Sequence, residues 1–316
     1  MTHIYVIHEN AAWLDPLAAA LDRQALPWRD WFLDRGVFDV SQPPPEGIFY
    51  NRMSASSHTR DHRYAAELTA SVLTWLERYG RRVVNGSRAL DLEISKVRQY
   101  AALEAAGIRT PDTVVVAGKE LLADAARRRF EDRAFILKPN RGGKGLGVRL
   151  FQTADALADY LAGPDYEPPV DGMHLLQQYV RAPEPIITRS EFVGGRFMYA
   201  VEVDTSDGFD LCPADACAVV DAFCPVGEER RAKFTIIGGI DPALQGRYEV
   251  FLAANDIGVA GIEFVTDATG AVYTYDVNTN TNYNPDAEAR ADRSGMDTLA
   301  RYLGDELSRA GCNDRL

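Results

Sequence analysis

Two stretches of the sequence carry residue types suited to phosphate and metal chemistry. The first is Phe135-Ile136-Leu137-Lys138-Pro139-Asn140-Arg141-Gly142-Gly143-Lys144-Gly145. It sets a lysine at the end of an apolar strand and follows it with a glycine-rich loop. Glycines let backbone N–H groups approach a phosphate closely, and lysine supplies the charge. The spacing fits neither G-x4-G-K-[ST] nor G-x-G-x-x-G, so a glycine-rich hairpin turn is the competing reading. The second stretch pairs Gly261-Ile262-Glu263-Phe264-Val265 with Tyr275-Asp276-Val277-Asn278-Thr279-Asn280. These read as adjacent antiparallel strands. Asp276 and Asn278, two apart, face the same side, and Glu263 reaches the same point if the register allows. Two carboxylates and an amide oxygen make a hard-oxygen site suited to Mg²⁺. A solvated polar face is the alternative, weakened by the apolar Ile262, Phe264 and Val277 in between.

The elements that must position these residues follow from periodicity and turn signals. Strands are expected at Ile4–Ile7, Trp28–Leu33, Gly47–Tyr50 and Arg82–Val84, alternating with helices at Ala11–Gln24 and Arg63–Tyr79. That alternation implies a parallel α/β layer. Ile94–Ala106 reads as a helix closed by Gly107 and Pro111. Strands then follow at Thr113–Val116, Ala134–Lys138, Val148–Phe151 and His174–Val180, with helices at Lys119–Arg128 and Thr153–Leu161. Beyond them come Ile186–Val193 and Arg196–Val203, joined at Gly194-Gly195, and an irregular segment from Thr205 to Arg231. A helix at Pro242–Asn255, strands at Val259–Val265 and Ala271–Val277, an Asn-rich loop and a helix at Met296–Ser308 complete the pattern.

A chain of 316 residues with 46% hydrophobic and 25% charged residues has room for two or three packed sub-domains. The net charge of −12 argues against a nucleic-acid partner. No apolar run reaches the length of a membrane span, and the start lacks the pattern of a signal peptide. A cytoplasmic location is therefore expected, and a homo-oligomer is compatible with these numbers. Cys212, Cys217 and Cys224 are spaced C-x4-C-x6-C, without the C-x2-C knuckle of a zinc site. With Cys312 they read as reduced, structural thiols.

The ordered set of motifs resembles the ATP-grasp superfamily, within it the RimK-like α-L-glutamate ligases and bacterial glutathione synthetases. The resemblance runs over about residues 46–285. It is carried by Val83-Val84-Asn85-Gly86-Ser87, by Ser95-Lys96-Val97-Arg98 through Gly107-Ile108-Arg109-Thr110-Pro111, by Phe135 to Val148, by Gln177 to Val180, by Arg189-Ser190-Glu191-Phe192-Val193-Gly194-Gly195, and by the two carboxylate strands. It implies an α/β ATP-grasp fold of three sub-domains, 1–92, 93–180 and 181–316, with ATP between the central and C-terminal ones. It also implies two Mg²⁺ ions, Mn²⁺ being the alternative, on Glu263, Asp276 and Asn278. Lys96, Lys138 and Lys144 would hold phosphates, and Gln178, Tyr179 and Val180 would meet adenine. Arg189 would stabilise the transferring phosphate, with Lys233 as a second cation.

The implied activity joins a small-molecule carboxylate to an amine through an acyl phosphate, releasing ADP. A small-molecule kinase and a non-catalytic nucleotide-binding module are the rivals. Two positions depart from the pattern: Ile187 stands where an acidic residue is usual, and Asp276 replaces a glutamate. The stretch Tyr50 to Arg60 should lie at the carboxyl edge of the first sheet, where open α/β sheets bind ligands. Arg52 and Arg60 are expected to receive a substrate carboxylate. Ser56 and His58 would orient it, and Asn280 completes the substrate set.

Overall fold

The computed structural model describes residues 2–143, 145–206 and 232–313. Lys144 and the cysteines Cys212, Cys217 and Cys224 lie outside the described residues, as does the side chain of Cys312. Among the described residues the strands form three sheets, and no described helix is long and apolar enough to cross a membrane.

The first sheet is built from β1 (His3–His8), α1 (Ala11–Arg23), β2 (Trp28–Phe32), β3 (Gly47–Asn51), α2 (Ala65–Arg78) and β4 (Arg82–Val84). Its strands are parallel in the order β2-β1-β3-β4. Period-two alternation sorts its side chains. Ile4, Val6, Ile48 and Tyr50 pack with Leu14, Leu17 and Leu21 of α1. Ile7 and Phe49 pack with Val72, Leu73 and Leu76 of α2.

The chain continues through α3 (Ser87–Glu93) and α4 (Lys96–Ala105) into the second sheet. Its elements are β5 (Thr113–Ala117), α5 (Leu122–Phe130), β6 (Phe135–Pro139), β7 (Arg149–Phe151), α6 (Ala154–Ala162) and β8 (Met173–Gln178). It is antiparallel, in the order β5-β8-β6-β7. The third sheet contains β9 (Ile186–Val193), β10 (Arg196–Asp204), β11 (Phe234–Ile237), β12 (Val259–Thr266) and β13 (Val272–Asn278), with α7 (Pro242–Ala254) before β12. Its order is β11-β10-β9-β12-β13, again antiparallel. Gly194 and Gly195 close the β9–β10 hairpin at φ 63° and 67°, the left-handed pair that a two-residue turn requires.

Three elements depart from the expected pattern: α3, β11 and α8 (Pro285–Ala291), the last inside the stretch read as an Asn-rich loop. α8 has a physical start signal. Asn284 accepts a hydrogen bond from the Ala287 N–H, and Pro285 takes the first turn. The final helix, α9 (Gly295–Asn313), returns to the first sheet, where Leu299, Leu303 and Leu307 join Ile4, Val6 and Ile48 in one core.

First and third sheets are clamped by Asn85, buried just after β4 with φ 58°. Its Nδ2 donates to the carbonyls of Val259 and Thr279, both at 2.8 Å, while its Oδ1 accepts from the N–H groups of Gly258 and Val259. Each buried polar group left without a partner costs about 1–3 kcal/mol, and a non-glycine residue in the left-handed region about 1 kcal/mol more. Asn85→Ala should therefore lower unfolding stability by roughly 3–5 kcal/mol, and Asn85→Gly by less. Denaturant melts of both variants check this; wild-type midpoints would show that the clamp contributes nothing.

Candidate functional site

A cavity of about 460 Å³ opens between the second and third sheets, with loops of the first sheet closing one end. Its floor is a row of charges across three neighbouring strands. Arg189 on β9 lies opposite Glu263 on β12, and Glu263 lies opposite Asp276 on β13. The register therefore brings Glu263 to Asp276 and Asn278, the convergence that the two-residue spacing requires. Between Glu263 and Phe264 the β12–β13 pairing slips by one residue. Such a bulge re-aims a side chain, and here Tyr275 and Asp276, consecutive in sequence, both line the cavity.

The row is buried and held by ionic hydrogen bonds. Arg189 donates from Nη1 to Glu263 at 2.8 Å, from Nε to Glu191 at 2.5 Å and from Nη2 to Thr281 Oγ1 at 2.7 Å. Thr281 in turn donates to Glu191. Burial opposes the Arg189 charge, but Glu191 and Glu263 outweigh it and hold the guanidinium firmly protonated. Burial likewise raises Glu263, an effect that Arg189 partly offsets. Glu191 was not expected as a site residue, although its spacing of two from Arg189 puts both on one face of β9.

Two lysines approach from the other side. Lys96 opens α4 and bonds Asp276 at 2.6 Å. The start of α4 is fixed to the root of the glycine-rich loop: the N–H of Lys96 bonds the Asn140 carbonyl, and that of Val97 the Asn140 Oδ1. Those are orphan donors of the helix terminus, so Asn140 sets where Lys96 stands. Lys138, at the end of β6, lies 5.3 Å from the Tyr100 ring centre and 5.8 Å from that of Tyr275. Among the described residues nothing accepts a hydrogen bond from its ammonium. Burial, then the neighbouring Lys96 charge, lowers it to about 7. Gly142, Gly143 and Gly145 line the cavity beside it.

β8 ends at Gln178 rather than running to Val180. Gln178 is tied to Asp112 through its own N–H and its Oε1. Tyr179 and Val180 continue along the cavity wall beyond the ladder, which frees their backbone groups for a planar ligand edge.

The expected substrate residues divide. Ser56 and Asn280 line the cavity. Arg52 is buried against its own chain, donating to Asn280, Asn282 and the carbonyls of Trp13 and Thr281. Arg60 pairs twice with the buried Glu9 and stacks over Trp13. His58 lies off the cavity wall, lowered by burial and then by Arg141. Lys233 is exposed just before β11, away from the wall. Arg52 and Arg60, expected to receive a substrate carboxylate, are thus held by carboxylates and carbonyls of their own chain, and Lys233, expected as a second phosphate-facing cation, is not among the residues that line the cavity. Glu93, not expected, lines the cavity and accepts from the N–H groups of Ala55 and Thr279; burial raises it.

Glu263, Asp276 and Asn278 fit a hard divalent cation by donor type; the two carboxylates now pair with Arg189 and Lys96, and Asn278 donates to Glu263. Among the described residues no group of three or more His, Cys, Asp or Glu side chains makes a metal site alone. A cation here would draw its further ligands from a bound phosphate, as Mg²⁺ does. Gly261 makes the row possible: a Cβ there would fall 2.3 Å from the Arg189 Nη2. Gly261→Ala should displace the guanidinium and cost roughly 3 kcal/mol or more by breaking a buried ion pair. A denaturant melt unchanged from wild type would refute that packing.

No family model matches the chain, and no curated protein matches it. Solved structures do. The ATP-grasp ligase PsnB, in complex with a minimal precursor, superposes with a TM-score of 0.66 at 18% identity, covering 96% of this chain and 98% of that one. A RimK-domain ATP-grasp protein from Sphaerobacter thermophilus gives 0.65 at 15% identity, covering 97% and 99%. D-alanyl-alanine synthetase A from Vibrio cholerae gives 0.66 at 12% identity, covering 97% and 98%. The likeness runs along almost the whole length of each chain, and this chain has the ATP-grasp fold.

Proposed function

We propose that this chain is an ATP- and Mg²⁺-dependent ligase that joins a carboxylate to an amine. The observation that carries the reading is the meeting of Lys96 and Lys138 with Glu263, Asp276 and Asn278 around one cavity beneath a glycine-rich loop. Structures of the same fold support it: PsnB has been solved with a precursor, Mg and ADP, and another is named D-cycloserine synthetase. For this chain we infer the reaction class, with an amino acid or small peptide among its substrates.

In this reading Lys138 and Lys96 bind the triphosphate from two sides, and Lys96 exchanges its bond to Asp276 for one to phosphate. Tyr179 and Val180 present backbone groups to adenine. Glu263, Asp276 and Asn278 would hold Mg²⁺, which would supply Lewis-acid stabilisation of the transferring phosphoryl group. Arg189, fixed by Glu191, Glu263 and Thr281, contributes a preorganised positive potential that needs no rearrangement during transfer. The substrate carboxylate attacks the γ-phosphate, giving an acyl phosphate and ADP. The amine then displaces phosphate to form the amide. Gly142, Gly143 and Gly145 let the loop close over the cavity and keep water from the acyl phosphate.

With hydroxylamine in place of the amine, and acids supplied as a panel, the protein should form hydroxamate and ADP in equal amounts. Asp276→Asn should abolish both while leaving the fold intact. AMP as product would mean adenylation and overturn the reading; ADP with a stable phosphorylated alcohol would make the chain a kinase.

Lys138 adds a pH signature. Its ammonium is lowered to about 7 in the free site, and an anion beside it raises it again, so nucleotide binding takes up a proton. Affinity for a non-hydrolysable ATP analogue should fall as pH rises above 7, by about tenfold per unit until the bound-state value is reached. Calorimetry in two buffers of different ionisation enthalpy should show uptake of about half a proton at pH 7, absent in Lys138→Met. Zero uptake in the wild type would mean that Lys138 does not meet phosphate.

A further inference from the structure

Beyond β13 the sequence reads Asn278-Thr279-Asn280-Thr281-Asn282, and burial alternates with it. Both threonines are buried, while all three asparagines lie on the cavity wall. Alternate side chains of an extended chain face opposite sides. The asparagines therefore form a ladder along the cavity wall, leading away from the carboxylate floor.

Arg52, 2% exposed, stands behind this ladder. Its Nε donates to Asn280 Oδ1 at 3.2 Å and its Nη2 to Asn282 Oδ1 at 2.8 Å. The same Nη2 bonds the Thr281 carbonyl at 3.2 Å, and Nη1 bonds the Trp13 carbonyl at 2.9 Å. A guanidinium has donors and no acceptor, so both amides must turn their oxygens toward it. Their Nδ2 groups are thereby turned away from it. Among the described residues no acceptor takes those N–H groups, and both residues line the cavity.

We propose that Asn280 and Asn282 form the receptor for the substrate carboxylate, with Arg52 as the positioning residue behind them. The inference rests on the ligase reading and names the part of the cavity that takes the acid. Neutral donors suit a carboxylate that must react. A guanidinium in bidentate contact would bind both oxygens strongly and hold their charge. Amide N–H groups make weaker bonds and leave charge on the attacking oxygen. The Arg52 charge, one hydrogen bond further back, still favours an anion over an ammonium at this place, so the acid rather than the amine is received here.

Acetate is the probe, with methylammonium as the control of opposite charge. In protein labelled with ¹⁵N at asparagine side chains, acetate should move the Nδ2 signals of Asn280 and Asn282, assigned through Asn280→Asp and Asn282→Asp. Methylammonium should leave them in place. Asn282→Asp keeps the oxygen that Arg52 needs, so the fold stands, but it replaces an N–H donor with a charged oxygen. Acetate affinity read at Asn280 should then fall about tenfold or more. Signals that stay still at saturating acetate, an undiminished affinity in Asn282→Asp, or a response to methylammonium instead would each overturn the receptor. Binding of an ATP analogue to the same samples separates the two readings. Acetate shifts without nucleotide binding would support the receptor and overturn the ligase; nucleotide binding without acetate shifts would overturn the receptor alone.

Discussion

Charge removed from water is the constraint around which the cavity is built. Arg189 is buried between Glu191 and Glu263, and the cost of desolvating such groups is recovered only where geometry and additional hydrogen bonds are complete. Several otherwise unrelated features serve that completion. Gly261 leaves room for the guanidinium to cross β12. Thr281 accepts from Arg189 with its hydroxyl and from Arg52 with its carbonyl, so one residue anchors two buried arginines. Glu93 fixes the preceding turn through Thr279. The loop after β13 is thus held from behind at alternate residues, and its free face is the one that meets the cavity.

The second sheet answers to a different demand. Its core, including Val116, Phe130, Phe135, Leu157 and Leu176, is drawn from its own elements, whereas the first and third sheets share theirs. Rotation of the second sheet over the cavity would therefore leave that core intact, although Leu175 of β8 packs with Phe192, Tyr248 and Phe251. Asn140 keeps one connection rigid across that joint, because it holds the start of α4 and donates to Asp171 on its own side. The root of the glycine-rich loop and the placement of Lys96 are linked through this one residue.

What could be read from the sequence was whatever depends on short-range periodicity. Lys138 at a strand end, Asp276 and Asn278 on one face, and the parallel first sheet all follow from apolar runs and two-residue alternation, whereas the register that sets Glu263 opposite Asp276 does not. The bulge that brings Tyr275 to the wall could not be read, because it is a property of two strands in register and leaves no mark on either. The partners of Arg52 and Arg60 were equally hidden. An arginine near a strand end is drawn to whichever carboxylate or carbonyl the fold brings closest, and Glu9 and Asn282 lie 51 and 230 residues away. The start of α8 was legible in principle, since Asn284-Pro285-Asp286 carries a cap, a proline and an acidic first turn.

The return of α9 to the first sheet has a consequence for biosynthesis. Ile4, Val6, Ile48 and Tyr50 leave the ribosome well before Leu299, Leu303 and Leu307, which complete their cover. Until then the nascent sheet keeps an apolar strip that α1 shields only in part, and partly exposed apolar surface of this kind invites aggregation. The first sheet is in this respect finished only after the third has been made, and a chaperone that shelters growing chains would find its natural client in β1 and β3.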